Sequence, residues 1–373
     1  MTMASTAAGA SPTELDELRA TVRRFLADKA PESHVRSVMT SDHGIDAQLW
    51  RELAQQLGLQ GLALPEAYGG AGYGYVEQTV VLEELGRALT CVPYFGTVVL
   101  AANALLESGD TGAMGRWLPA IAAGELTATL AVGEPITAEP AIAATQVGES
   151  WQLDGTVSHV VDGMSAELLL VFGRTAKGLG LFALDAGTSG VVRTHLPTMD
   201  LTRKQAAFAF AHAPATLVGA DDDGERILTR VLQLAAIALA AEQVGGAQRC
   251  LELATEYART RIQFGRAIGS FQAVKHRCAD LLVGIELARS AAARAAVCAA
   301  ENDADLALMA SLAKSFCSTT FVQAATDNIQ LHGGIGFTWE HPAHLYLKRA
   351  KSGQLLFGGP ALHRERVARA LGL

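Results

Sequence analysis

Two changes of residue pattern, near Gly124 and near Gly224, constrain the fold of this 373-residue chain more than any other feature. Before the first, apolar residues recur at helical spacing. Ser11, Pro12 and Thr13 followed by Glu14 and Glu17 read as a helix start, and Gly58 ends a second helical run over Ala47–Leu57. Further helices are expected over 76–89, 97–108 and 111–123. Between the two changes the chain turns β-rich. Thr127–Val132, Leu168–Phe172 and Gly178–Leu184 have strand length, and Trp151–Gly155 and Val157–Val161 read as strands around an Asp-Gly turn. After the second change, long Ala-rich helices are expected over 225–261, 271–302 and 305–332, with a last piece over 359–371. The expected fold is α+β and multi-domain. It has an N-terminal helical bundle (1–122), a middle antiparallel β-domain (123–223) and a C-terminal four-helix bundle (224–373).

Composition narrows the function classes. Half the residues are hydrophobic, enough for a large core, and the formal net charge is −8. That charge argues against a nucleic-acid partner held through its phosphates. The 5 cysteines include no C-x-x-C pair, so no zinc site and no disulfide framework is expected. The N-terminal residues carry neither a basic segment nor an apolar one of signal-peptide type. The apolar run Leu234–Ala241 is interrupted by Glu242 and is too short to span a bilayer. A cytoplasmic protein is expected.

The stretch Tyr257–His276 carries the most chemistry. Arg259, Arg261 and Gln263 lead into a break at Phe264 and Gly265, and Gly269, Phe271 and Gln272 precede the next helical run. Cations and amides at a helix-to-helix corner suit a large anionic cofactor, because guanidinium groups grip a pyrophosphate through paired N–H donors. An aromatic beside them can pack on a flat ring. The same residues could equally form a basic helix end that offsets its own dipole.

Three blocks in register decide between these readings. Arg261, Gln263, Phe264, Gly265, Phe271 and Gln272 resemble the R-x-x-FG…xQ signature of the flavin-dependent acyl-CoA dehydrogenases. Gln330, Gly333, Gly334, Gly336 and Phe337, extended by Glu340 and Pro342, resemble that family's Q-x-x-GG-x-G-[YF] and E-x-P segments. Pro65, Glu66, Tyr68, Gly69, Gly70 and Gly72 resemble its PExYGGxG turn. The resemblance implies FAD as cofactor. Arg261 would meet the pyrophosphate with Gln263 beside it, Phe264 and Gln272 would line the adenine half, and Gln330, Gly333 and Gly334 would receive the cofactor of a neighbouring subunit. In the β-domain the family's T-E-P reads Gly133, Glu134 and Pro135 here, and its W-[IV]-[TS] strand reads His159, Val160 and Val161. Gly133 and His159 are carried as flavin neighbours.

The resemblance also implies a reaction, removal of an α-proton and a β-hydride from an acyl-CoA thioester to give the 2,3-enoyl-CoA. A carboxylate base is needed. Where the family carries Y-E-G-T, this chain has Leu356, Phe357, Gly358 and Gly359, and the family's alternative position, on the long helix, is Ala235. Glu242 lies seven residues on, close to two helical turns, on the same face. It is expected to be the base, its carboxylate desolvated in an apolar run. The competing reading pairs Glu242 across a helix contact or a subunit interface. Glu252 and Glu256 are expected to be solvated, and Asp327 to hydrogen-bond locally. Expected partners are the acyl-CoA, an electron-transfer flavoprotein or similar acceptor, and a second subunit, identical or homologous. Small residues such as Gly245, Gly246, Gly358 and Gly359 hint at a roomy acyl pocket. Two alternatives stay open: a catalytically silent partner subunit, and a flavin oxidase or monooxygenase on the same fold.

Overall fold

The computed structural model describes residues 9–133 and 141–373. Glu134 and Pro135 therefore lie outside the described residues. The chain has a helical N-terminal part, a central sheet and a helical C-terminal part. It divides into two compact units, one of residues 1–21, 37–78 and 91–235, the other of 22–36, 79–90 and 236–373.

The N-terminal helices are α1 (Pro12–Lys29), α2 (Glu32–Met39), α3 (Ala47–Leu57), α4 (Tyr75–Ala88), α5 (Asn103–Ser108) and α6 (Thr111–Ala122). Asp46 caps α3 by accepting from the Gln48 and Leu49 amides, and Gly58 ends it at φ 64°. The Asp110 side chain caps α6 in the same way. The helix expected from residue 97 opens instead as a wide π-type run, Phe95–Ala102, before it tightens into α5. Two glycines of the Pro65–Gly72 turn have separate reasons. Gly69 takes φ 81°, and a Cβ on Gly70 would stand 2.0 Å from the Leu64 carbonyl oxygen. That turn is a close-packing device.

The sheet of the first unit contains β1 (Ala128–Ala131), β2 (Ala143–Val147), β3 (Ser150–Val161), β4 (Leu168–Arg174), β5 (Leu179–Asp185), β6 (Val191–Leu196) and β7 (Gln205–Val218). Pairings run β4–β5–β7–β3–β2 and return to β4, so the strands close into a barrel-like ring. Most pairings are antiparallel, but β1 joins β4 in parallel. Trp151, Leu153, Leu169, Val171, Phe182 and Phe208 fill the interior, with the Trp151 and Phe182 rings 5.2 Å apart. The expected turn at Asp154-Gly155 is absent. The register shifts there within one continuous strand β3, Gly155 sits at φ 137°, and the Asp-Gly pair makes a bulge. β7 is strand despite its Ala-rich sequence, because its Ala-Phe alternation buries Ala206, Phe208 and Phe210.

The C-terminal part has α7 (Gly224–Thr260), a two-stranded hairpin of β8 (Ile262–Gln263) and β9 (Arg266–Ala267), then α8 (Gln272–Glu301), α9 (Leu306–His332), α10 (Ala343–Leu355) and α11 (Pro360–Ala370). α9 packs with α8, α10 and α11. α10 adds a helix to the four expected; its AHLYLKRAKSGQL sequence has too weak an apolar stripe to announce it.

Candidate functional site

The corner after α7 is a hairpin. Phe264 (φ 52°) and Gly265 (φ 76°) are its two central residues, both left-handed, as a two-residue turn with the right twist requires. A left-handed Phe is costly, and here its ring is also 90% exposed. The turn thus spends strain to present an aromatic face outward. Phe271 meets the Phe264 ring edge-on at 6.0 Å, and the Arg266 guanidinium lies 4.1 Å over Phe271. The corner can draw this tight because Gly269 faces α7, where a Cβ would come 2.8 Å from the Ala258 carbonyl oxygen. Arg261, Gln263 and Gln272 are all exposed around this hairpin.

The end of α9 lies against the end of α7. The His332 ring meets those of Tyr257 at 4.4 Å and His341 at 4.1 Å, tilted against both. Burial pushes His332 and His341 below the usual histidine range. Its Nδ1 lies 2.8 Å from the Asn328 carbonyl oxygen. Gln330 is exposed on the last turn, and Gly333 closes the helix at φ 63°, its N–H donating to Gln330 and Ile329. Among the described residues, nothing stands within 4 Å of where a Cβ on Gly333 or Gly334 would be. Both backbones are open to a ligand. The donor set of the second unit is therefore an exposed guanidinium, amide side chains, an outward aromatic and two glycine backbones uncovered by the described residues. These fit a flavin dinucleotide: Arg261 and Gln263 for pyrophosphate, Phe264 for a flat ring, Gln330 with Gly333 and Gly334 for polar contacts.

Gly133 and His159 belong to the other unit. A Cβ on Gly133 would come 3.1 Å from Val157 Cγ2, which places it beside β3. His159 sits in the second register shift of β3, between Val157 and Val160, at φ 63° and exposed. A bulge there turns its ring outward from the ladder.

Glu242 is buried on α7, and the isolated desolvated carboxylate expected there is half of an ion pair. Arg349 Nη1 of α10 donates to Glu242 Oε1 at 3.0 Å, and the two side chains are 4% and 5% exposed. α4 crosses α7 here through Gly86, where a Cβ would meet the Glu242 carbonyl oxygen at 2.2 Å. The arrangement is the cross-helix pairing that the sequence left as its competing reading. A polar chain continues from it. Ser318 Oγ donates to Gln243 Oε1 at 3.1 Å, and the fully buried Lys314 donates to Ser318 Oγ, Gly353 O and Gln354 O at 3.0–3.2 Å. Beyond it, Phe357 is buried at φ 58°, with His363 Nε2 3.0 Å from its carbonyl oxygen. Sequence reasoning missed Arg349, Lys314 and His363. Arg349 and His363 stand in segments whose composition reads as a solvated basic face, Lys314 is the one Lys in the apolar sequence of α9, and only the packing buries them with their partners.

The other acids resolve by their partners. Glu252 was expected to be solvated, yet it takes both oxygens to Arg87 and a further contact from Arg249 at 3.3 Å. Burial works against its charge, but Arg87 and its other donors hold the carboxyl below the usual range. Asp327, expected to hydrogen-bond locally, does so with Gln323 at 2.8 Å, and it also accepts from Arg277 of α8 at 2.9 Å, a bond between helices. Gly245 and Gly246 do not open a pocket. A Cβ on Gly245 would fall 1.8 Å from the Glu83 carbonyl oxygen, and one on Gly246 2.4 Å from the Phe321 ring. Their absent side chains let helices touch.

Comparison with known proteins shows the family of the chain. The acyl-CoA dehydrogenase N-terminal domain matches residues 12–125 and the C-terminal domain residues 222–372. The chain belongs to the acyl-CoA dehydrogenase family, a family of flavoprotein oxidoreductases. It is 38% identical to acyl-CoA dehydrogenase IpdE2 of Mycobacterium tuberculosis over 349 residues, 94% of each chain. Among solved structures it resembles the ChsE4-ChsE5 complex from Mycobacterium tuberculosis (TM-score 0.90, 31% identity, 97% of this chain and 98% of that one). It also resembles a variant of the Tcur3481-Tcur3483 steroid ACAD (TM-score 0.88, 35% identity, 96% and 98%). It is a divergent member, similar to subunits of heteromeric acyl-CoA dehydrogenases.

Proposed function

We propose that this chain serves the FAD-dependent α,β-dehydrogenation of an acyl-CoA thioester, as a cytoplasmic subunit of an oligomer, with electrons passing to an electron-transfer flavoprotein or similar acceptor. The observation that carries this reading is the outward hairpin of Arg261, Gln263 and Phe264, strained at Phe264, together with the open backbones of Gly333 and Gly334 after α9. Exposed aromatic and anion-gripping groups held at a conformational cost have a binding purpose. FAD, when bound, supplies acceptance of the β-hydride. Arg261 and Gln263 hold its pyrophosphate, Phe264 and Gln272 its adenine half, and Gln330, Gly333 and Gly334 the cofactor of a neighbouring subunit. Gly133 and His159 are the proposed contacts from the β-domain. A polycyclic acyl group is the proposed substrate class, supported by similarity to the steroid ACAD.

Glu242 is the proposed base of the first reading, which requires the Arg349 contact to open in the catalytic state. A specific observation favours a second reading. The carboxylate is buried and paired, and Phe357 and Ala235 at the family's other positions accept no proton. On that reading the chain completes the cofactor site and a homologous partner brings the base.

The test uses the purified chain, alone and with a co-encoded homologue, under anaerobic conditions. Flavin absorbance is recorded on adding a panel of acyl-CoAs, for wild type and Glu242→Gln. Bleaching by the wild type and its loss in the variant supports the first reading. Flavin retained only with the homologue, and bleaching that survives Glu242→Gln, supports the second. Failure to hold flavin in either form overturns both. Oxygen uptake without an acyl-CoA would mark an oxidase instead.

A further inference from the structure

A cavity of about 350 Å³ lies within the second unit, away from the flavin-type hairpin, among α1, α2, the end of α4, α7 and α10. Its volume falls at the lower end of small-ligand sites and is too small for a coenzyme A thioester. The floor is apolar: Leu26, Ala30, Val35 and Leu345 line it and are buried.

One wall is ionic. Arg23 grips Glu84 through two bonds of 2.9 and 2.7 Å, and Arg87 grips Glu252 through two oxygens. Arg249 reaches Glu252 by one longer contact of 3.3 Å. Three guanidinium groups thus share two carboxylates. Glu32, also at the cavity, is matched by Arg36 at 2.7 Å. The local balance is one positive charge, and Arg249, which lines the cavity, is the cation whose contact with a carboxylate is single and long; it also meets the neutral Tyr346 hydroxyl, which takes none of its charge. A guanidinium so placed retains N–H donors for a further anion.

We propose that this cavity binds a small amphipathic monocarboxylate, its apolar body on Leu26, Val35 and Leu345 and its carboxylate on Arg249. The charge surplus selects an anion, the floor selects an apolar body, and the volume limits it to a short chain. The site is separate from the residues proposed for flavin and does not depend on the dehydrogenase reading.

The probe is octanoate, titrated into the purified full-length chain by calorimetry, with octan-1-ol as its uncharged counterpart. Saturable octanoate binding at least tenfold tighter than octan-1-ol is expected. Arg249→Gln weakens octanoate at least tenfold. Ala27→Trp, at an exposed lining position, fills the mouth and abolishes it. No saturable binding, equal affinity for octan-1-ol, or unchanged octanoate affinity in both variants overturns the proposal. The alcohol comparison needs only the wild-type chain, so a variant that fails to fold leaves the test standing.

Discussion

The hairpin at Arg261–Ala267 and the middle of α7 around Glu242 lie about twenty residues apart, and they use charge in opposite ways. The hairpin keeps its cation and its aromatic in the open, on a turn whose own backbone is strained. The α7 segment hides its carboxylate, seals it with Gly86 and matches it with Arg349. An exposed charged group is available to a ligand, whereas a buried one is committed to its partner, because separating the pair leaves an uncompensated charge in a poorly solvating interior. The lesson is that a lone acid in an apolar helix is as easily a structural half-pair as a catalyst.

The largest test of that contrast is Arg349→Leu. Removing the Arg349 guanidinium from the buried Glu242 carboxylate is expected to cost about 3–5 kcal/mol, read by denaturant unfolding, and Glu242→Gln in the same chain should recover part of it. A loss below about 1 kcal/mol would make the pair a dispensable contact and reopen Glu242 to catalysis.

A pH titration sharpens the same contrast. Burial pushes His363 down to about 4, and His344 too, there with help from the Lys348 and Arg36 charges. Below the unfolded value near 6.5 the unfolded chain binds protons at these positions that the native chain refuses. Stability is therefore lost as pH falls from about 6.5 to about 4, by up to about 3 kcal/mol for His363. His363→Gln should flatten that acid limb. An unchanged slope would show that His363 is protonated in the native state.

Arg261→Ala comes next. It should weaken flavin binding by about 10–100-fold, the loss of a charge-assisted bond worth about 1.5–3 kcal/mol, while unfolding of the flavin-free chain moves by less than about 0.5 kcal/mol. Equal effects on binding and stability would erase the distinction between the two regions. The smallest effect is expected from Phe264→Gly. Relief of the left-handed backbone should raise stability by up to about 1 kcal/mol, and flavin affinity should fall. A destabilised variant would mean that the ring is needed by the fold.

Much of the architecture was legible before any coordinates. Ala47–Leu57 and its Gly58 stop follow from local spacing and a residue free to take positive φ, and the long helices of the C-terminal part from Ala-rich periodicity. β7 was not legible. Alanine favours helix, and only pairing with β3 on one edge and β5 and β6 on the other makes its alternation a strand. The Asp154-Gly155 pair misled for a related reason, since the same left-handed tolerance serves a turn or a bulge, and cross-strand register chooses.

By itself the sequence determined the class of fold, the family, and a Phe-Gly break between two helices with a cation, an amide and an aromatic around it, because these rest on residues close in sequence; that the break is an outward hairpin is a finding of the structure. Tertiary structure alone decided the partner of Glu242, the burial of Lys314 and His363, and the use of Gly245 and Gly246 as contact points between helices. Each depends on what a distant element brings within a few ångströms, and a side chain's charge, hydration and room are set by those neighbours.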